Sequence, residues 1–236
     1  MACKSQPSAI STKPRSAACW IPRSAHCQRA RLCPNRRTRR STRQRPSSCA
    51  NCRNRRALSF SSAPGIQDED PDWIPLAVAN YILGGGGFSS RLMDSVREQR
   101  GLVYGISTGA SVRDHSATIR GSAQSENGNV AEAVSVTRAE IGRLYTEGPT
   151  QAEVDDAITY LTGSFALDLD SNVKIASVVQ GYQVAGRDIE YINRRNDLIR
   201  AVTLADVNRV IRRLFNPDNF TFVVVGQPTG LEASAP

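Results

Sequence analysis

Asn80-Tyr81-Ile82-Leu83-Gly84-Gly85-Gly86-Gly87-Phe88-Ser89-Ser90-Arg91-Leu92-Met93-Asp94-Ser95-Val96-Arg97-Glu98-Gln99-Arg100-Gly101-Leu102-Val103-Tyr104 is the stretch that decides how this chain is read. Just upstream, Asp70-Pro71 offers an N-cap acid followed by Pro at the first helical position. Ile74, Ala77, Val78, Tyr81 and Ile82 then recur at helical spacing, so a helix is predicted to run into the glycines and stop there. Ser89 or Ser90 can cap a second helix with the apolar stripe Leu92, Met93 and Val96. Gly101 ends that helix as the residue just past its C-cap.

Downstream the period changes from helical to two. Leu102, Tyr104, Ile106 and Thr108 are expected on one face of a strand, with Gly105, Ser107, Gly109 and Ser111 on the other. Arg113-Asp114-His115 reads as a turn into a second strand through Thr118, Ile119 and Arg120. The small-residue face is expected to accept a close-packed helix or backbone. A long helix follows from Asn127, with Val130, Ala133, Val134, Ile141 and Leu144 inward. Thr150-Gln151-Ala152-Glu153 is a capping box for the next, lined by Val154, Ala157, Ile158, Leu161 and Phe165. Helical patterns cover about 171–184 and 189–202, and Thr203-Leu204-Ala205-Asp206 opens another. Asn219–Val225 reads as a closing strand buried on both faces. This order predicts an α+β fold, a mostly antiparallel sheet with helices packed on one face.

The remainder of the 236 residues divides sharply by composition. Residues 1–67 hold 15 Lys and Arg and no acid; the other 15 basic residues stand against all 22 acids. The overall +8 therefore belongs to the N-terminal stretch, while the body carries −7. A basic total is thus no argument for specific nucleic-acid binding by the body. All six cysteines lie at or before residue 52, which excludes a disulfide-stapled body. Residues 1–62, rich in Arg, Ser, Pro and Cys, are expected to be a disordered tail. An organelle-targeting peptide, an anionic-surface arm at Arg36–Arg40 and a wrongly joined reading frame all remain open for it. Residues 63–230 form the expected folded domain and 231–236 a disordered end. Cys49-Ala50-Asn51-Cys52 lacks the second matched pair a zinc site needs. No apolar run reaches the roughly 18 residues that span a bilayer, and no signal-peptide core is visible, so the compartment stays open.

The quoted stretch closely resembles the metal-free domain of the pitrilysin/insulinase family of zinc peptidases, of the mitochondrial processing peptidase type. The family pattern is a helix ending in Asn-x-x-Leu-Gly-Gly, then Phe-Ser-Ser-Arg-Leu, then Arg-Glu-x-x-Gly-Leu-x-Tyr. The resemblance runs over about 63–227, to Val223-Val224-Val225-Gly226. It implies a metallohydrolase-like domain that lacks its first strands here, because residues before Ala63 do not resemble them. The chain would then be a truncated fragment, or another chain would supply those strands.

The resemblance further implies that Arg97 and Tyr104, seven positions apart, are the catalytic pair. They would face a partner subunit or domain that carries H-x-x-E-H and the zinc. Gly84, Gly85, Gly86, Gly87 and Phe88 would contact a peptide substrate. The chemistry suits these residue types: a guanidinium fork and a phenol are both donors, able to hold substrate carbonyls or the oxyanion of peptide hydrolysis. No metal ligand or cofactor is expected in this chain, since His26 and His115 are its only histidines and neither zinc-hydrolase motif is present. Two plainer roles stand beside this. Arg97 can pair with Asp94 or Glu98, and Tyr104 can be a core residue. A catalytically inert scaffold subunit of the same fold is the alternative function.

Overall fold

A computed structural model describes residues 56–113 and 115–231. The tail's cysteine pair, His26 and the Arg36–Arg40 run lie outside the described residues. Four strands form one antiparallel sheet: β1 (Arg56–Pro64), β2 (Val103–Arg113), β3 (Ser116–Glu126) and β4 (Thr221–Val225), in the order β2-β3-β1-β4. Six α-helices accompany it: α1 (Trp73–Asn80), α2 (Val130–Glu147), α3 (Gln151–Gly163), α4 (Asn172–Val184), α5 (Tyr191–Arg200) and α6 (Leu204–Leu214). This is the α+β fold read from the sequence. On β3, Ile119, Gly121, Ala123 and Ser125 are buried while Arg120, Ser122, Gln124 and Glu126 are exposed. One sheet face therefore lies under the helices and the other is open.

The core forms where the helical stripes meet that covered face. Leu76, Val78 and Leu83 from α1 and its extension join Leu92, Val96, Ile119, Ile141, Leu144 and Val154. The α6 stripe, Val207, Val210, Ile211 and Leu214, is buried with them, each side chain contributing about 1.5–3 kcal/mol. The predicted capping box is present, Thr150 with Glu153 opening α3, and Thr203 with Asp206, read as a helix start, forms a second box that opens α6. Among the described residues no helix is long and apolar enough to cross a membrane.

Several local expectations are corrected. β1 starts at Arg56, inside the stretch assigned to the tail, so one strand precedes α1 and lies in the interior of the sheet. Helix α1 begins at Trp73, with Asp72 at its N-cap. Asp70 makes the turn before it, accepting from the Asp72 N–H at 2.9 Å. Arg209 and Arg213 of α6 hold the carboxylates of Asp70 and Asp72, so those acids serve packing between helices. β4 is an edge strand, with Val223 52% and Val225 60% exposed. Thr221, Val223 and Val225 lie on the open face of the sheet while Phe222 and Val224 are half-buried, an alternation that the run of valines does not reveal.

Close backbone approach occurs on the opposite face of β2 from the one expected. Space around Gly105 and Gly109 is open. Instead Gly84 sits so near β2 that a Cβ there would lie 2.6 Å from Thr108 Oγ1 and 3.0 Å from Thr108 N. The glycine needed for contact belongs to the helix end, not to the strand.

Candidate functional site

Helix α1 continues through a wide, five-residue π-type turn at Tyr81–Gly85. Here the Asn80 Nδ2 donates to the Thr108 carbonyl at 3.3 Å, tying the helix end to β2. A Cβ on Gly85 would meet Asn80 Nδ2 at 2.7 Å, and one on Gly86 would meet Tyr81 O at 2.9 Å. Gly84, Gly85 and Gly86 are thus forced by packing. Gly87 differs: it has φ +58° and open space around it. Of the five residues expected at a peptide, Gly87 and Phe88 combine exposure with freedom from packing, Phe88 being 68% exposed.

The next segment is anchored at its start. Ser90, 1% exposed, donates its hydroxyl to the Gly87 carbonyl at 2.7 Å. Arg91 reaches the α2–α3 junction, donating to Glu153 Oε1 at 2.6 Å, Glu153 Oε2 at 2.8 Å and Gly148 O at 3.1 Å. Burial pushes the Glu153 carboxyl upward, but hydrogen bonds from Arg91 and Thr150 outweigh it and hold the pKa at about 2. Sequence reading recognised Glu153 as a cap and missed its second role. The signal was Arg91, the one charged residue within Phe-Ser-Ser-Arg-Leu.

A second π-type turn, Met93–Glu98, carries Arg97 in its last turn. Gly101, at φ +61°, closes it: Gly101 N donates to Arg97 O at 2.8 Å and Leu102 N to Val96 O at 3.1 Å. Arg97 is half-buried. Its guanidinium lies 4.7 Å from the centroid of the Phe88 ring and 3.4 Å from Glu98 Oε1. Asp94, the other expected partner, is taken by Gln99 at 2.6 Å.

Tyr104 is 76% exposed, which removes the core-residue reading. Its position comes from a break in register: Val103 pairs with Ser125 and Gly105 with the adjacent Gln124, leaving Tyr104 as the extra residue of a β-bulge. The bulge lets Val103 and Ile106 both be buried, 5% and 8% exposed, and sends Tyr104 to the open face. The expectation that Tyr104 shares the face of Ile106 is therefore wrong, because strict alternation fails at a bulge. The Tyr104 hydroxyl makes no hydrogen bond among the described residues, and no hydrogen bond joins it to Arg97. Tyr104, Gly101, Gln124, Glu126 and Asn129 line an open cleft of about 380 Å³. Ser125 Oγ fixes one wall by donating to Leu102 O at 2.6 Å.

Residues 53–161 match the family model described as the peptidase M16 inactive domain. The chain carries a peptidase M16 inactive domain. It is 26% identical over 170 residues to the non-peptidase homolog YmxG of Helicobacter pylori, covering 72% of this chain and 39% of that protein. It is 31% identical over 150 residues to the uncharacterized zinc protease YmxG of Bacillus subtilis, covering 61% and 35%. The crystal structure of the peptidase M16 inactive domain from Pseudomonas fluorescens superposes with a TM-score of 0.68 at 27% identity, over 76% of this chain and 42% of that one. The chain thus spans less than two fifths of the length of these curated relatives. Among the described residues of this M16 domain no group of three or more His, Cys, Asp or Glu is placed to hold a metal ion. These residues do not fit the zinc of the wider family, and His115 stands exposed in a turn.

Proposed function

We propose that this chain is the metal-free half of an M16 zinc metalloendopeptidase, binding extended peptide and stabilising the transition state for a partner that carries H-x-x-E-H. The partner supplies zinc and general base. This chain supplies donors: the Arg97 guanidinium and the Tyr104 hydroxyl hold peptide carbonyls, and strengthen as negative charge develops on the attacked oxygen. Gly87 borders the bound peptide, and Phe88 lies under the Arg97 guanidinium. The observation that carries the reading is Tyr104. A large aromatic residue is turned out of the core by a bulge and lines an open cleft, its hydroxyl without a hydrogen bond among the described residues, an arrangement that contributes little to folding.

The test mixes this chain with an H-x-x-E-H subunit from the same genome and follows cleavage of a quenched fluorescent peptide. Activity is expected in the mixture and in neither component alone. A mixture no more active than the metal-bearing component removes the proposal. A second reading, an inert scaffold subunit of the same fold, draws on the relative called a non-peptidase homolog. It predicts stable association without any gain in hydrolysis.

A further inference from the structure

We infer that Phe88 is a positioning residue for Arg97, a flat shelf that fixes where the guanidinium sits, and that it is not itself a peptide contact. The inference rests on the reading of Arg97 as a substrate donor. Three observations carry it. The guanidinium lies over the Phe88 ring at 4.7 Å, within the range of a cation–π contact. The ring is 68% exposed, so burial does not explain a phenylalanine at this place. The backbone beneath it is fixed at both ends, by Gly87 in a left-handed conformation and by the Ser90 hydroxyl bound to Gly87 O at 2.7 Å.

Stacking has a chemical consequence that an ion pair lacks. It occupies the face of the guanidinium and leaves the in-plane N–H groups free to donate. The other contact, to Glu98 at 3.4 Å, involves a carboxylate 52% exposed, and such pairs restrain a side chain weakly. The shelf therefore pre-orders Arg97 for carbonyl recognition and lowers the entropy lost on binding.

The experiment is a double-mutant cycle on the full chain, read by fluorescence anisotropy of a labelled, extended peptide. Arg97→Ala is expected to weaken binding about ten-fold or more. Phe88→Leu should weaken it about two- to five-fold in the wild-type background and not at all in the Arg97→Ala background. Phe88→Tyr, which keeps the ring, should restore wild-type affinity. Additive losses, or a Tyr variant as weak as Leu, would make Phe88 a direct peptide contact and overturn the inference alone. Unchanged binding in Arg97→Ala, or no binding by the wild type, would remove the proposed function and this inference with it.

Discussion

Arg91 and Glu153 grip each other through two hydrogen bonds, Nε to Oε1 at 2.6 Å and Nη2 to Oε2 at 2.8 Å. The same carboxylate accepts from Thr150 N at 2.7 Å and so closes the capping box of α3. One acid thereby fastens the segment that carries Arg97 to the start of another helix. Arg91→Lys keeps the charge and loses the fork. It is expected to cost about 1.5–3 kcal/mol, lowering the melting temperature by several degrees. Thermal unfolding followed by circular dichroism checks this; an unchanged midpoint contradicts it.

The pair also sets an acid limit. The ordinary glutamate value is 4.5 and the native one is about 2, so the folded state binds this proton less readily than the unfolded chain. The stabilisation is complete above pH 4.5 and is lost as pH falls toward 2. After screening at a partly exposed site it amounts to about 1–2 kcal/mol. Urea unfolding of wild type and Glu153→Gln at pH 6, 4 and 3 should show a stability gap that narrows with acid. A gap of constant size would refute the assignment.

Glycine substitutions separate packing from exposure. Gly84→Ala places a methyl 2.6 Å from Thr108 Oγ1 and against its backbone, and is expected to cost about 1–3 kcal/mol from overpacking. Gly105→Ala meets nothing within 4 Å and should fall within about 0.5 kcal/mol of wild type. Chemical denaturation of the two variants decides the matter, and equal losses would mean that the glycine run does not approach β2.

The network between α1 and α6 gives a fourth test. Asp72 is 7% exposed and accepts from Arg209 at 2.8 Å and Arg213 at 2.7 Å. Asp72→Asn keeps the shape and removes the charge that both guanidinium groups require, so a loss of about 2–3 kcal/mol is expected. Measured stability equal to wild type at neutral pH would show that solvent replaces the carboxylate without cost.

Where local chemistry acts alone, the structure was legible in the sequence. Thr150 and Glu153, Thr203 and Asp206, and Gly101 as a helix end follow from capping rules, and the β2–β3 hairpin follows from the change to a period of two. What was hidden depends on partners distant in sequence. Asp70 looks like a helix cap because its arginine, Arg213, lies 143 residues away. Val223 and Val225 look buried because an edge and a centre strand share one composition. Tyr104 was assigned the wrong face because no residue type announces a bulge, whereas its candidacy came from the ordered motif around it. Phe88 was read as a substrate contact from its motif, and nothing in that motif shows that Arg97, nine residues on, lies over its ring.

The decisive measurement is the rate of peptide hydrolysis by this chain mixed with the proposed metal-bearing subunit, Tyr104→Phe against wild type. Among the described residues the hydroxyl makes no hydrogen bond, so melting temperatures should agree to within about 2 °C. With one transition-state donor removed, kcat/KM should fall about 100-fold or more. A Tyr104→Phe assembly that cleaves as fast as wild type would leave the open cleft without a role in catalysis.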